Sequence, residues 1–239
     1  GKIYLFALGE KSDPNEALVW LKRAANAKFK PASNMPQFDP KEPHRNTAIG
    51  EAAVILANVY LGSIKGVAAD PKEARKWFDR ARYVGHVPAA KILGDLYYFG
   101  VGGPRDTKRA FTYYKEAATL GYAPGQFALA QMYANGEVIG GPNLKQALAW
   151  YEQAAKLEHP GAIFVLARAY DLGEGAPANP QRAISLYKTA ALQGNIDAQA
   201  ALATYFYEGR LVPKDDATAR QWFQTAAIGG DADAMFNLG

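Results

Sequence analysis

Cysteine is absent from the 239 residues, which excludes disulfide frameworks, thiolate zinc sites and cysteine nucleophiles. Histidine is scarce: only His44, His86 and His159 occur, and none is spaced from another as a helical zinc-binding pair. Long apolar runs are also missing. The longest uncharged stretch, residues 117–136, is broken by Gly121, Pro124 and Gly125, and its apolar residues are periodic, so no membrane insertion is expected. No basic stretch leading into an apolar run and a cleavage site opens the chain, so no signal peptide is legible. Charge of one sign is in small excess: 27 basic against 23 acidic residues give +4, too little by itself to imply nucleic-acid binding. That excess is unevenly placed. Residues 1–121 hold 19 Lys/Arg against 12 Asp/Glu, whereas residues 122–239 hold 8 against 11. The 49% of apolar residues suffices for a core in a chain of this length, and disorder is not expected.

What is present is a repeat. Tyr60, Tyr97, Tyr133, Tyr170 and Phe206 follow one another at intervals of 37, 36, 37 and 36 residues. The pairs Trp77-Phe78, Tyr113-Tyr114, Trp150-Tyr151, Leu186-Tyr187 and Trp222-Phe223 keep step with them. Each unit has the length of a helical hairpin. Its first helix carries a small residue, Leu and an aromatic at i, i+4, i+8, as in Ala89-Leu93-Tyr97, which draws one face of a helix. The residue after Leu is always small (Ala57, Gly94, Ala130, Ala167, Ala203), so close approach of a neighbouring helix is expected there. The second helix carries Ala, an apolar residue three later and Ala four later still, as in Ala74-Trp77-Ala81, again defining a face. Asp70, Asp106, Asn143, Asn179 and Asp215 stand four residues before the first Ala and are expected to be N-caps, with Pro71 and Pro180 following where no amide partner is needed. Gly62, Gly100, Gly136, Gly173 and Gly209 mark the ends of the first helices.

These spacings divide the chain into a partial repeat (1–32), an insertion (33–46), five full repeats (47–230) and a partial repeat (231–239) within a single repeat domain, 1–239. Tyr4 precedes Trp20 by 16 residues, and Ala234 and Leu238 repeat Ala198 and Leu202, so both ends fall within the pattern and a fragment of a longer solenoid is expected. The insertion holds Pro36, Pro40 and Pro43, which forbid a long helix; it is either a functional loop or decoration.

The strings Leu93-Gly94-Asp95-Leu96-Tyr97-Tyr98-Phe99-Gly100, Asp70 to Trp77, and Ala117-Ala118-Thr119-Leu120-Gly121 resemble the Sel1-like repeat family, a branch of the tetratricopeptide-like solenoids. The resemblance covers nearly the whole chain outside the insertion. It implies an all-α fold, a right-handed α-solenoid of tandem antiparallel helix hairpins with a period of 36–37 residues. Three departures are mild: Leu186 for the usual aromatic, Glu158 for the joint glycine, and Ser63 where other repeats place Gly. The paired cysteines of some members are absent. The resemblance further implies a scaffold or adaptor with a protein partner. It favours the bacterial periplasm or envelope, with the cytoplasm as the alternative.

Catalytic signatures are thin. Asp215-Asp216 is accounted for by an N-cap and a first-turn acid. The stretches Gly100–Pro104 and Ile139–Pro142 lie between helices and lack a following Lys-Ser/Thr, so phosphate binding is not expected. No cofactor, metal or catalytic residue is assigned, and no nucleic-acid partner.

In such solenoids the first helices line the concave surface, which singles out positions not used in packing. Two before each Leu stand Val54, Lys91, Phe127, Phe164 and Ala200; two after it, a polar ladder of Asn58, Asp95, Gln131, Arg168 and Thr204. After each aromatic come Leu61, Tyr98, Ala134, Asp171 and Tyr207. The candidate partner-binding groove is therefore Asn58, Lys91, Asp95, Tyr98, Phe127, Gln131, Phe164, Arg168, Asp171, Thr204 and Tyr207. Phe127 and Phe164 fit an interface core as well as simple hairpin packing, and both readings stand. One expectation is that a partner segment lies in this groove; the alternative is a small-ligand or saccharide receptor stacking a ring on Tyr98, Phe127 or Tyr207. Lys72, Arg75, Lys76, Arg80 and Arg82 on one second helix form either a solvated outer face or a dock for an acidic partner.

Overall fold

Every second helix of a hairpin begins at an Asp or Asn whose side-chain oxygen accepts backbone amides of the first turn, and these six caps set the register of the chain. The computed structural model describes residues 13–28, 39, 48–137 and 140–238. These second helices are α1 (Pro14–Ala25, cap Asp13), α3 (Pro71–Tyr83, Asp70), α5 (Thr107–Thr119, Asp106), α7 (Leu144–Lys156, Asn143), α9 (Pro180–Leu192, Asn179) and α11 (Asp216–Ile228, Asp215). Between them run the first helices of the hairpins: α2 (Ala48–Asn58), α4 (Val87–Tyr98), α6 (Ala123–Ala134), α8 (Pro160–Leu172), α10 (Ile196–Glu208) and α12 (Ala232–Leu238). The chain is all-α among the described residues. The insertion, apart from Asp39, and His44 within it lie outside them.

The cap residues also close the turns. The amide of Asp70 donates to the Tyr60 carbonyl at 2.8 Å, Asp106 to Tyr97 at 2.8 Å, Asn143 to Tyr133 at 2.8 Å, Asn179 to Tyr170 at 2.7 Å and Asp215 to Phe206 at 2.9 Å. From Asp70, Asp106, Asn143 and Asn179 to the next aromatic is 27 positions each time; from aromatic to cap is 10, 9, 10, 9 and 9. The alternation of 37 and 36 therefore resides wholly in the turn, and the packed part of the repeat never changes length. Ser63 has a local consequence: α2 ends through a π-helical turn, Val59–Ser63, with Gly62 rather than residue 63 in the left-handed region at φ 94°.

Two compact units emerge, 1–129 and 130–239, each a tandem series of hairpins in which every helix packs on the next. In the first, the packed series runs α1 to α5; in the second, α7 to α12. The Leu of each first helix (Leu56, Leu93, Leu129, Leu166, Leu202) is buried, as are both alanines of each second helix from α3 onward. The second-helix face differs from expectation by one residue. Phe78, Tyr114, Tyr151, Tyr187 and Phe223 are the buried aromatics, while Trp77, Tyr113, Trp150, Leu186 and Trp222 are half-buried. Ala74-Phe78-Ala81 (i, i+4, i+7) and Ala74-Trp77-Ala81 (i, i+3, i+7) span the same arc of a 3.6-residue helix, about 60°, so packing makes the choice, and the flanking Trp77 packs at the margin of the same core. Leu186 is thus no departure at the core position, where Tyr187 keeps the aromatic. The small residue after Leu has the expected purpose: a Cβ on Gly94 would lie 2.5 Å from the Tyr114 ring.

The joints between hairpins hold a second set of caps, which the repeat pattern above does not assign. Ala89 N–H donates to His86 Nδ1 (3.2 Å), Ala162 N–H to His159 Nδ1 (3.3 Å), Ala198 N–H to Asn195 Oδ1 (2.8 Å) and Ala234 N–H to Asp231 Oδ1 (2.6 Å). Each stands three residues before the small residue of the first helix, a spacing visible in the chain. The cap at His86 needs a neutral imidazole. Burial lowers its pKa below the usual 6.5, against its own backbone hydrogen bond and the Glu51 carboxylate, which raise it. With the folded value depressed, the unfolded chain takes up the proton first. The cap's contribution, about 1 kcal/mol, is intact above pH 6.5 and lost as pH falls through the lower folded value. Melting temperature should drop across that window, and His86→Asn should keep the cap while flattening the slope, by thermal denaturation between pH 7.5 and 5.

Glu158, at the joint where other repeats place Gly, adopts φ 59°. A side chain costs roughly 1–2 kcal/mol in that region. Glu158→Gly is therefore expected to raise stability by about 1 kcal/mol, the gain being partly offset by the freer unfolded chain; urea denaturation measures it.

Candidate functional site

In the unit 1–129, α2 and α4 present the candidate residues. Asn58 is exposed at the last residue of α2. Lys91 and Asp95, one turn apart on α4, pair with each other at 2.7 Å, and Asp95 Oδ1 accepts the Tyr114 hydroxyl at 2.8 Å. Asp95 is therefore engaged within its own hairpin. Its charge, after burial, holds the nearby Tyr122 phenol above its usual pKa. Tyr98 is half-buried, edge-on to Phe99 at 4.9 Å, with the Arg105 guanidinium 4.8 Å from its ring. Phe127 is half-buried on α6.

In the unit 130–239 the candidate residues separate into two kinds. Gln131 and Arg168 are exposed, and Arg168 makes no hydrogen bond or ion pair among the described residues. It stands on the rim of a depression of about 140 Å³ whose wall is mainly apolar: Ala134, Leu148, Tyr151, Val165 and Ala169, with Glu174 also on its lining. The Tyr151 phenol there is pushed up to about 12 by burial. Tyr207 is 58% exposed, with the Lys214 ammonium 5.2 Å from its ring.

The other kind is turned inward. Phe164 lies edge-on to the buried Tyr187, 6.0 Å between centroids, which favours the packing reading for this residue. Thr204 donates its hydroxyl to the Ala200 carbonyl of its own helix at 3.0 Å. Asp171 differs most from expectation: its side chain is only 4% exposed. Its carboxylate accepts the Tyr205 hydroxyl at 2.5 Å, the Tyr187 hydroxyl at 3.5 Å, and both terminal nitrogens of Arg210 at 3.1 and 3.2 Å. Burial, then the bond to Asp171, drives the Tyr205 phenol far above its usual pKa. Nothing in the chain order announces this cluster, because Asp171, Tyr187 and Arg210 come from three successive segments. The polar ladder is thus chemically uneven: Asn58, Gln131 and Arg168 are free to reach outward, whereas Asp95 and Thr204 have partners of their own.

No group of three or more His, Asp or Glu side chains suited to a metal ion occurs among the described residues, and no described helix is long and apolar enough to cross a membrane.

The Sel1 repeat profile matches residues 1–29, 50–86, 87–122, 123–159, 160–195 and 196–231. Among solved structures, a Sel1 repeat protein of Oxalobacter formigenes is 28% identical, with a TM-score of 0.77 over 95% of this chain and 84% of that one. A protective antigen of uropathogenic Escherichia coli with the same type of repeat fold is 25% identical, with a TM-score of 0.69 over 99% of this chain and 54% of its own. A curated Sel1-like repeat-containing protein of Schizosaccharomyces pombe is 38% identical over 72 residues, so the match spans 29% of this chain and 10% of that relative. Six profile matches, in register with the hairpins described above, place the chain in the Sel1 repeat family.

Proposed function

We propose that this protein is a non-enzymatic scaffold that binds a segment of a partner protein on its first-helix faces. Sel1-repeat proteins are generally protein-interaction scaffolds. The observation that carries the reading is Arg168, an exposed cation with no ion pair or hydrogen bond, on the rim of the apolar depression between α7 and α8. An aliphatic side chain of the partner fills that depression while a carboxylate or backbone carbonyl meets the guanidinium, the pairing of apolar anchor and polar rim that interfaces use. Gln131, in the same unit, supplies a further contact; in the unit 1–129, considered by itself, Asn58, Lys91, Tyr98 and Phe127 are the corresponding candidates. Ring stacking of a small ligand finds less support, since Tyr98 is already covered by Phe99 and Arg105. Tyr207, beside a depression of about 490 Å³, is the one candidate ring that is largely exposed.

The test is site-specific photocrosslinking in cells of the native host. A photoreactive residue at Arg168 should capture a defined protein that the same residue at Lys188, exposed on α9, does not. Identical capture at both positions, or none at Arg168, rejects this face as the binding surface.

A further inference from the structure

The basic residues of α3 divide into two groups. Arg80 and Arg82 are used inside the fold: Arg80 donates to the carbonyls of Ala25 (3.1 Å) and Ala27 (2.9 Å), and Arg82 bridges Asp79 (2.7 Å) and Glu116 (3.0 Å). Lys72, Arg75 and Lys76, at i, i+3 and i+4, instead line one depression of about 510 Å³ together with Tyr97 and Tyr113. The two rings stack at 5.5 Å and 21°. One acid, Asp79, is on the lining, and Arg82 already holds it. Lys72 has no side-chain partner among the described residues. Lys76 pairs only with Glu73, and its ammonium end stays largely exposed. Arg75 donates to the carbonyls of Leu96 (2.8 Å) and Gly103 (3.4 Å) and lies 4.1 Å from the Tyr97 ring, so its charge meets no carboxylate.

The opposite wall is shaped by glycine. A Cβ on Gly102 would lie 2.4 Å from the Pro71 carbonyl oxygen, and one on Gly103 would lie 2.8 Å from Arg75 Nη1. The three-cation pattern is particular to α3: the corresponding residues are Lys108, Phe111 and Thr112 in α5, and Gln181, Ile184 and Ser185 in α9. Repeat packing therefore does not require it.

We infer that this depression binds an acidic peptide segment of a partner protein, with an Asp or Glu carboxylate held between Lys72 and Lys76 and an aromatic or proline side chain against the edges of the Tyr97 and Tyr113 rings. Lys72, without a side-chain partner, and Arg75, bonded only to carbonyls, supply the charge complementarity, with Lys76 exchanging Glu73 for the partner's carboxylate; the faces of the phenol rings are taken up by each other and by Arg75, Arg109 and Arg82, so their edges supply the apolar contact. The site is separate from the first-helix faces proposed above and does not depend on them.

The test selects a random heptapeptide phage library on the full chain, then measures the labelled consensus peptide by fluorescence anisotropy. Enrichment of Asp or Glu beside an aromatic residue or proline is expected. The double variant Lys72→Glu/Lys76→Glu, with unchanged circular dichroism, should weaken the peptide about tenfold or more. Raising salt from about 0.05 to 0.5 M should weaken it as well. Arg168→Glu should leave it unchanged. If the double variant does not fold, Lys72→Ala, which removes no internal contact, replaces it and should show the same direction. Absence of acidic enrichment, equal binding by the variant, or selective retention of single-stranded DNA in place of the peptide overturns the proposal.

Discussion

Leu166→Ala is expected to lower the free energy of unfolding by about 2–5 kcal/mol, measured by urea denaturation followed at 222 nm. Leu166 is buried at the contact between α8 and its neighbours, and truncation removes apolar surface while leaving a cavity that a hairpin stacked on both sides cannot close. Arg168→Ala, two residues along the same helix, should change stability by no more than about 0.5 kcal/mol, because its side chain is exposed and unpaired. The contrast between neighbours separates the packed face of α8 from the outward one. Comparable losses at both positions would mean that Arg168 belongs to the core, and the proposed binding face would go with it.

The second large effect is expected at Asp171. Asp171→Ala leaves the hydroxyls of Tyr187 and Tyr205 without their acceptor in a buried place and releases Arg210. Unsatisfied buried donors cost about 1–3 kcal/mol each; with Tyr187, whose bond is long at 3.5 Å, at the low end of that range, a total loss of roughly 2–4 kcal/mol is expected. Arg210, whose side chain is 48% exposed, returns to water at little cost. Arg210→Ala alone should therefore cost about 1 kcal/mol or less. Asp171→Asn, which keeps an acceptor for the phenols, should fall between the two. A double-mutant cycle across Asp171 and Tyr205 should show coupling of about 1 kcal/mol or more, since the two share a short, buried hydrogen bond. If Asp171→Ala were neutral, the carboxylate would be available to a partner, as its sequence position first indicated. Because Asp171 belongs to one hairpin and Tyr205 and Arg210 to the next, the same cycle measures how strongly one hairpin is coupled to the next.

The contrast between Asp171 and Arg168 shows where sequence reading stops. Both lie on α8 at positions that the repeat leaves free of its own packing pattern. A periodic motif reports which residues recur, and recurrence tracks the constant contacts: Leu166 on its partners, the small residue at Gly94 under the Tyr114 ring, the Asp or Asn at each second-helix start. It says nothing about partners that occur once. Arg210 reaches Asp171 only because the turn after α10 brings it there, 39 residues away, with Leu211 beside it in the left-handed region at φ 64°. Arg80 and Arg82 give the same lesson in the other unit. Their charge was plain in the chain, but that they serve the Ala25 and Ala27 carbonyls and Glu116 depends on long-range contacts.

By itself, then, the order of residues determined the all-α class, the hairpin length, the second-helix caps and the buried leucines, because all of these rest on local geometry repeated every 36 or 37 residues. Only the tertiary structure decided which aromatic of each pair is buried, since adjacent residues on a helix differ by 100° and both fit an approximate stripe. It also decided which polar groups face solvent. A carboxylate or guanidinium stays outside unless a partner is brought within about 3 Å to replace its water. At Arg80, Arg82 and Asp171 a partner is supplied by a different hairpin, whose approach the sequence of one repeat does not encode.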